Sequence, residues 1–146
     1  MDTSSLSQSL IFENYSGNEA ASIDRFQRVW RRTLQFALPV SFGERLYDLL
    51  LCCREGLLNA LVHGCGAGAD KIASISVSTD DSKTIVRVVI EDPGHGHDFN
   101  VEKRIERLSL MEGRELGLAI VHRLSDRIEL QNRGSTLVFE FDLKKS

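Results

Sequence analysis

The sequence predicts a two-layer α/β (α+β) sandwich in which a mixed, mostly antiparallel sheet is covered on one face by helices. Three observations point there. Two long stretches, Asn18 to Leu38 and Phe42 to His63, carry apolar residues at helical spacing. Shorter stretches rich in β-branched and aromatic residues alternate in period two and are bounded by turn signals. The chain of 146 residues is long enough for one domain with a substantial core, and residues 1–146 are read as that domain.

Taken in order, residues 1–8 are expected to be disordered, and Ser9 to Tyr15 reads as a short strand. Asn18 to Leu38 is a helix with Ile23, Phe26, Trp30 and Leu34 inward, stopping near Pro39. Phe42 to His63 is a second helix, with Leu46, Leu49, Leu50, Cys53, Leu57, Ala60 and Leu61 on its apolar side. Cys65-Gly-Ala-Gly68 is its flexible exit. Lys71 to Thr79 and Lys83 to Asp92 form an antiparallel pair about Asp80-Asp81-Ser82. His97 to Glu112 is polar, with a weak helical pattern through Val101, Ile105 and Leu108. Leu116 to Leu124 is a short helix, and Arg127 to Asn132 and Ser135 to Leu143 are two strands joined through Arg133-Gly134.

Within the second helix, Glu55 and Asn59 stand four apart, and residues so spaced are neighbours on one helix face. With His63 they make a polar stripe roughly 200° around from Cys53, at about 100° per residue. A carboxylate beside a carboxamide can hold a hard cation and polarise a nucleophile, although a solvated helix face would look the same. A second constellation separates the two readings. In Val86-Arg-Val-Val-Ile-Glu-Asp-Pro-Gly-His-Gly96, Asp92 shares the parity of Val86, Val88 and Ile90, so it points to the core side. An aspartate placed there needs a partner or a ligand, because an unpaired buried charge is costly. Gly94 and Gly96 then allow the backbone to approach a flat ligand closely.

Glu-x-x-x-Asn, then Asp-x-Gly-x-Gly, then Gly113-Arg-Glu-Leu-Gly117-Leu, in that order, resembles the ATP-binding domains of the Bergerat fold (the GHKL group of type II topoisomerases, Hsp90-like chaperones, histidine kinases and MutL). The resemblance runs from about Leu10 to Phe141, and is nearest to the bacterial anti-sigma-factor serine/threonine kinases. There the first motif reads Glu-x-x-x-Asn-Ala-x-x-His-Gly, which Glu55 to Gly64 reproduces. Sensor histidine kinases usually lack that glutamate and often carry a basic residue where this chain has Val62. The resemblance implies ATP or ADP with Mg²⁺ as cofactors. Asn59 would ligate the Mg²⁺ and Glu55 would be the general base. Asp92 would accept a hydrogen bond from the adenine amino group, Gly96 would let the loop backbone close over the ring, and Gly94 would serve as a turn residue more than as a contact. A hydroxyl on the last strand would join this aspartate. Ser135 has the parity of Leu137, Phe139 and Phe141 and is chosen, with Thr136 the alternative if the strand starts irregularly. Gly113, Arg114, Gly117 and Leu118 would hold the phosphates where a loop opens a helix, and residues 97–112 would be the lid over them.

One residue departs from the family. Glu115 occupies the first glycine of its Gly-x-Gly, and a carboxylate beside a triphosphate is repulsive. A transition-metal site at His95, His97 and Asp98, or at Cys52, Cys53, His63 and Cys65, lacks the paired Cys-x-x-Cys spacing of structural zinc. Arg25, Arg28, Arg31 and Arg32 make the first long helix basic outside; a solvated face accounts for them, and the pattern would also suit an acidic protein partner.

Net charge −3 and a pI near 5.8 argue against nucleic acid as the main partner. No apolar run approaches the ~20 residues that span a bilayer, and the N-terminus carries no signal segment. Adjacent Cys52 and Cys53 in a helix fit no disulfide framework, so a reducing cytoplasm is expected. The resemblance then implies a protein serine kinase that phosphorylates a STAS-type anti-anti-sigma protein and sequesters a sigma factor or similar target, with a homodimer left open. The alternatives are a nucleotide-gated binding module without phosphotransfer, which Glu115 favours, and a detached histidine-kinase-like catalytic domain.

Overall fold

The computed structural model describes residues 8–94 and 113–144, with the side chains of 113 and 114 outside that description. Residues 1–7 and the expected lid, 97–112, lie outside the described residues, whereas Gln8, expected to be disordered, opens the first strand. The elements in order are β1 (Gln8–Ser16), α1 (Ile23–Ala37), α2 (Gly43–Asn59), β2 (Ile72–Thr79), β3 (Ile85–Glu91), α3 (Gly113–Leu124), β4 (Arg127–Gln131) and β5 (Thr136–Asp142). The sheet runs β1-β2-β3-β5-β4, and every pairing among the described strands is antiparallel, so the expected mixed sheet is a purely antiparallel one.

Period-two patterning decides which face the helices cover. Ala73, Ile75 and Val77 alternate with Ser74, Ser76 and Ser78, and the apolar set is fully buried. Val86, Val88 and Ile90 and then Leu137, Phe139 and Phe141 extend the same face. Against it lie Trp30 and Leu34 of α1 and Leu49, Cys53 and Leu57 of α2, all closed to solvent. Each large apolar side chain among them contributes about 1.5–3 kcal/mol on burial. Tyr15 stacks on Phe26 with ring centroids 4.0 Å apart, and its hydroxyl accepts the Trp30 indole N–H at 3.2 Å, which seats α1 on β1.

Helix α1 starts later than its sequence pattern. Gly17 to Ser22 form a tight 3₁₀ turn, because the Ser16 N–H donates to Glu19 Oε1 (2.8 Å) and the Gly17 N–H is drawn to Lys71 O (3.0 Å). The second helix also ends early. After Asn59 the backbone widens into a π turn over Ala60 to Gly64, closed by the Cys65 N–H donating to Ala60 O at 2.8 Å. At the other end of α2, Arg45 donates to Asp126 (3.1 Å) and to Asp142 O (3.0 Å) and lies 4.9 Å from the Phe141 ring centroid, pinning the helix to the C-terminal strands.

The outer face of the sheet is not simply solvated. Arg87 and Glu140 face each other across β3 and β5, and the Arg87 Nε–H donates to Glu140 at 2.8 Å with side-chain exposures of only 8% and 9%. Such a pair registers two strands, and removing one partner alone would strand the other charge.

Candidate functional site

The site forms where α2, the end of β3, the start of α3 and the β4–β5 turn meet. A narrow cleft there is lined by Gly56, Asn59, Ala60, Ile90, Asp92, Leu118, Leu130, Gly134, Ser135 and Leu137. The larger concavity, about 330 Å³, lies elsewhere, between α1 and α2. It holds none of the residues the sequence singled out for nucleotide binding, whereas Asn59, Asp92, Leu118 and Ser135 gather at the smaller cleft.

Glu55 and Asn59 converge under the start of α3. A methyl group placed on Gly117 would lie 3.2 Å from Glu55 Oε2 and 3.2 Å from Asn59 Nδ2. The two half-buried side chains therefore end near one point, a carboxylate beside a carboxamide whose Oδ1 would lie 3.6 Å from the same methyl. The glycine keeps that point open. His63 is exposed and belongs to the π turn, whose wider spacing departs from the four-residue step that would have continued the stripe.

Asp92 follows β3 directly. Its N–H donates to Ser135 O at 2.9 Å, which extends the β3–β5 ladder one residue past the strand. Its carboxylate accepts the Gly94 N–H at 2.8 Å and is half-buried on the core side, where period-two parity puts it. Two glycines give it room. A methyl on Gly64 would fall 2.1 Å from Asp92 Cγ, and one on Gly94 would fall 2.7 Å from Asp92 Oδ1. Cys65 lies in the same corner, closed to solvent, and burial first and the nearby Asp92 charge second push its thiol up. A raised thiol is a poor nucleophile and a poor metal ligand. Cys52 is pushed up to about 12 by burial, and Cys53 well above its ordinary value by the same cause, so none of the three free cysteines supplies a reactive thiolate. Among the described residues no cluster of His, Cys, Asp and Glu suits a metal ion in the manner of the zinc alternative.

Ser135 is in the cleft, but not in the way its parity suggested. Strand β5 begins at Thr136, and Ser135 has turn geometry (φ −81°, ψ −11°). Its hydroxyl donates to Asn132 O at 2.8 Å, so the link to Asp92 runs through the Ser135 carbonyl. The physical cause is the tight turn before it, in which Asn132 and Arg133 take positive φ and consume the residue that would have started the strand. Thr136 is buried on the opposite side and its hydroxyl accepts from Asn132 Nδ2 at 3.0 Å.

Helix α3 begins at Gly113, not Leu116, which puts Gly113, Arg114 and Glu115 in its first turn, Gly117 over the Glu55–Asn59 point and Leu118 in the cleft wall. Gly96, His95 and His97 lie outside the described residues. Sequence reasoning missed Gly56, Leu130 and Gly134, and had Gly64 only as the end of the first motif, with no role. A signal for Gly56 was present: glycine inside a helix costs about 1 kcal/mol against alanine, so it needs a packing reason. A methyl on Gly56 would meet Ile90 Cδ1 at 2.6 Å, which shows how closely α2 crosses β3 at the cleft floor.

An antiparallel sheet under helices, with such a cleft at the end of the motif helix, is consistent with the kinase-like ATPase fold. Residues 18–141 match the histidine kinase-like ATPase domain family, and the chain belongs to it. Over 93 residues the chain is 34% identical to the sensor histidine kinase YpdA of Escherichia coli K12, a match covering 56% of this chain and 16% of that protein. The chain thus matches about a sixth of the length of that curated relative. Membership makes this an ATP-binding, kinase-like domain. No described helix is long and apolar enough to cross a membrane.

Proposed function

We propose that the chain is an ATP-dependent protein serine kinase of the anti-sigma type, acting on a serine of a small STAS-domain antagonist and holding a sigma factor or similar target in one nucleotide state. The observation that carries this reading is the convergence of Glu55 and Asn59 beneath Gly117, with Asp92 lining the same cleft as Asn59. That arrangement fits adenine against Asp92 and phosphates toward the start of α3. Bound ATP supplies the phosphoryl group. Asn59 would hold Mg²⁺ through its side-chain oxygen. Glu55 would take the proton of the attacking serine hydroxyl at its Oε2 as the oxygen becomes a nucleophile. The sensor histidine kinase relative supports the runner-up, a catalytic domain that serves a histidine acceptor.

The test is incubation with γ-labelled ATP and STAS-domain proteins, followed by acid. Phosphoserine survives acid and phosphohistidine does not, so an acid-labile product would favour the runner-up. Glu55→Ala should lower phosphotransfer by about 10²–10⁴-fold while leaving ADP affinity nearly unchanged, because a general base acts in the transition state. Wild-type protein that binds a STAS partner and transfers nothing would instead support the nucleotide-gated binding module.

A further inference from the structure

The groove between α1 and α2 stands apart from the nucleotide cleft, and its chemistry is of a different kind. Its floor is apolar, formed by the buried Leu46 and Leu50, and its α2 rim carries the Tyr47 ring at 69% exposure. Its α1 rim carries Arg28 and Arg31, both exposed, and among the described residues neither has an ion-pair partner. The acidic residue in the lining, Asp24, is engaged by Arg54, which also donates to Gln27 at 3.2 Å. The volume, about 330 Å³, is at the small end for a ligand pocket and has room for one or two anchoring side chains. On a chain of net charge −3, this is a local positive rim around an apolar floor.

We propose that this groove docks an acidic peptide segment of a partner protein, one that sets an aromatic or large aliphatic side chain on Leu46 and Leu50 and places carboxylates against Arg28 and Arg31. Charge complementarity chooses this occupant. A nucleic acid backbone would meet only two guanidiniums, beside an aspartate and a negative net charge, and would leave the floor unused. A membrane surface needs a broad basic face, and this groove is concave and narrow. The inference does not depend on the nucleotide reading. It would survive failure of the kinase assay, because it concerns another surface and another ligand class.

The test uses a fluorescent random copolymer of glutamate and tyrosine, with polyglutamate of equal length, a DNA duplex and phosphatidylserine vesicles as alternatives, read by anisotropy or co-sedimentation. The copolymer should bind more tightly than polyglutamate, and binding should weaken with salt, since rim charges are screened within ~8 Å at physiological ionic strength. Arg28→Glu with Arg31→Glu should lower copolymer affinity at least about tenfold. Arg25→Glu with Arg32→Glu makes the same charge change on exposed positions outside the groove and should lower it less than about threefold. Tyr47→Ala should narrow the gap between copolymer and polyglutamate. Circular-dichroism melts verify folding, and Arg28→Gln with Arg31→Gln repeats the comparison should the reversed pair not fold. Equal losses from the two arginine pairs, equal binding of the two polymers, preferential binding of DNA or vesicles, or no copolymer binding would each overturn the proposal.

Discussion

Gly64 is the residue whose role was least visible beforehand and most constrained by the fold. In the sequence it is only the last residue of the first motif, yet its Cα faces the Asp92 carboxylate so closely that a methyl group would sit 2.1 Å from Cγ. Nothing flexible and distant can yield there; the carboxylate itself must move. Gly64→Ala should therefore act on nucleotide binding more than on folding. Calorimetry should show ADP affinity lowered by about tenfold or more, the scale of losing a hydrogen bond to a charged group. An unchanged ADP affinity in a folded variant would mean that Asp92 does not recognise the base. Glu115 poses a different residue-scale question. It lies in the first turn of α3, half-buried, where a carboxylate is favoured by the helix dipole by about 0.3–1 kcal/mol. The same charge near a triphosphate would oppose ATP more than ADP, since ATP brings the additional γ-phosphate. Glu115→Gly should thus cost about 1 kcal/mol in stability, from lost dipole interaction and glycine entropy, while raising the ratio of ATP to ADP affinity. If stability falls and the ratio stays put, the carboxylate serves the helix alone.

At the scale of elements, the β2–β3 hairpin shows how a short polar stretch can be more than a linker. Asp80 accepts the Thr84 N–H at 2.6 Å and the Ile85 N–H at 3.2 Å, and also the Thr84 hydroxyl, while the Lys83 N–H returns to Asp80 O at 3.0 Å. Lys83 then reaches the end of α1, donating from Nζ to Ala37 O at 2.8 Å. Partial desolvation pushes the Asp80 carboxyl up, but the Thr84 hydroxyl and the two backbone bonds outweigh it, and the net direction is down. A carboxyl held below its unfolded value adds stability above that value and loses it as pH falls through the folded one. Solvent around the turn screens the charge and keeps the contribution small. Asp80→Asn should therefore destabilise the protein by about 0.5–1 kcal/mol at neutral pH, and the difference from wild type should shrink below about pH 4. Urea melts at both pH values check this; a gap that persists at low pH would assign it to shape and not to charge. The hairpin was legible in the sequence because turn residues and period-two alternation are local signals, and the parity that put Asp92 on the core side is the same signal carried two residues further. Ser135 misleads because its parity counts it into a strand that starts only at Thr136, after left-handed Asn132 and Arg133. The π turn at Ala60 to Gly64 was not legible either, since a change of backbone bonding from four residues to five leaves the apolar pattern of Ala60 and Leu61 intact.

The whole molecule gathers its cleft from distant parts of the chain. Gly56 and Asn59 come from α2, Asp92 from the end of β3, Leu118 from α3, and Gly134 and Ser135 from the turn before β5. This is why the sequence could name several members of the site yet not its walls: Ile90, Leu130 and Leu137 carry ordinary core signals, and only the crossing of α2 over β3 makes them line a cleft. The same construction couples ligand to fold, because a nucleotide held at this cleft ties the N-terminal helices to the C-terminal hairpin. A ligand that binds only the folded state stabilises it by RT ln(1 + [L]/Kd), about 2.7 kcal/mol at a hundredfold excess over Kd. For a domain of this size, 1 kcal/mol corresponds to roughly 2–8 °C in Tm, so saturating ADP with Mg²⁺ should raise Tm by about 5 °C or more. GDP should give a much smaller shift, since guanine presents a carbonyl where adenine presents the amino group that Asp92 would accept. Asp92→Asn should abolish most of the ADP shift while leaving the unliganded Tm within a few degrees of wild type, as the backbone bond from Asp92 N–H to Ser135 O is kept. Removing Mg²⁺ with chelator should reduce the shift in wild type and have little further effect in Asn59→Ala, which lacks the proposed metal-binding oxygen. A thermal shift that is equal for ADP and GDP, or that survives Asp92→Asn intact, would detach adenine recognition from this cleft and leave Asp92 with only its part in joining β3 to β5.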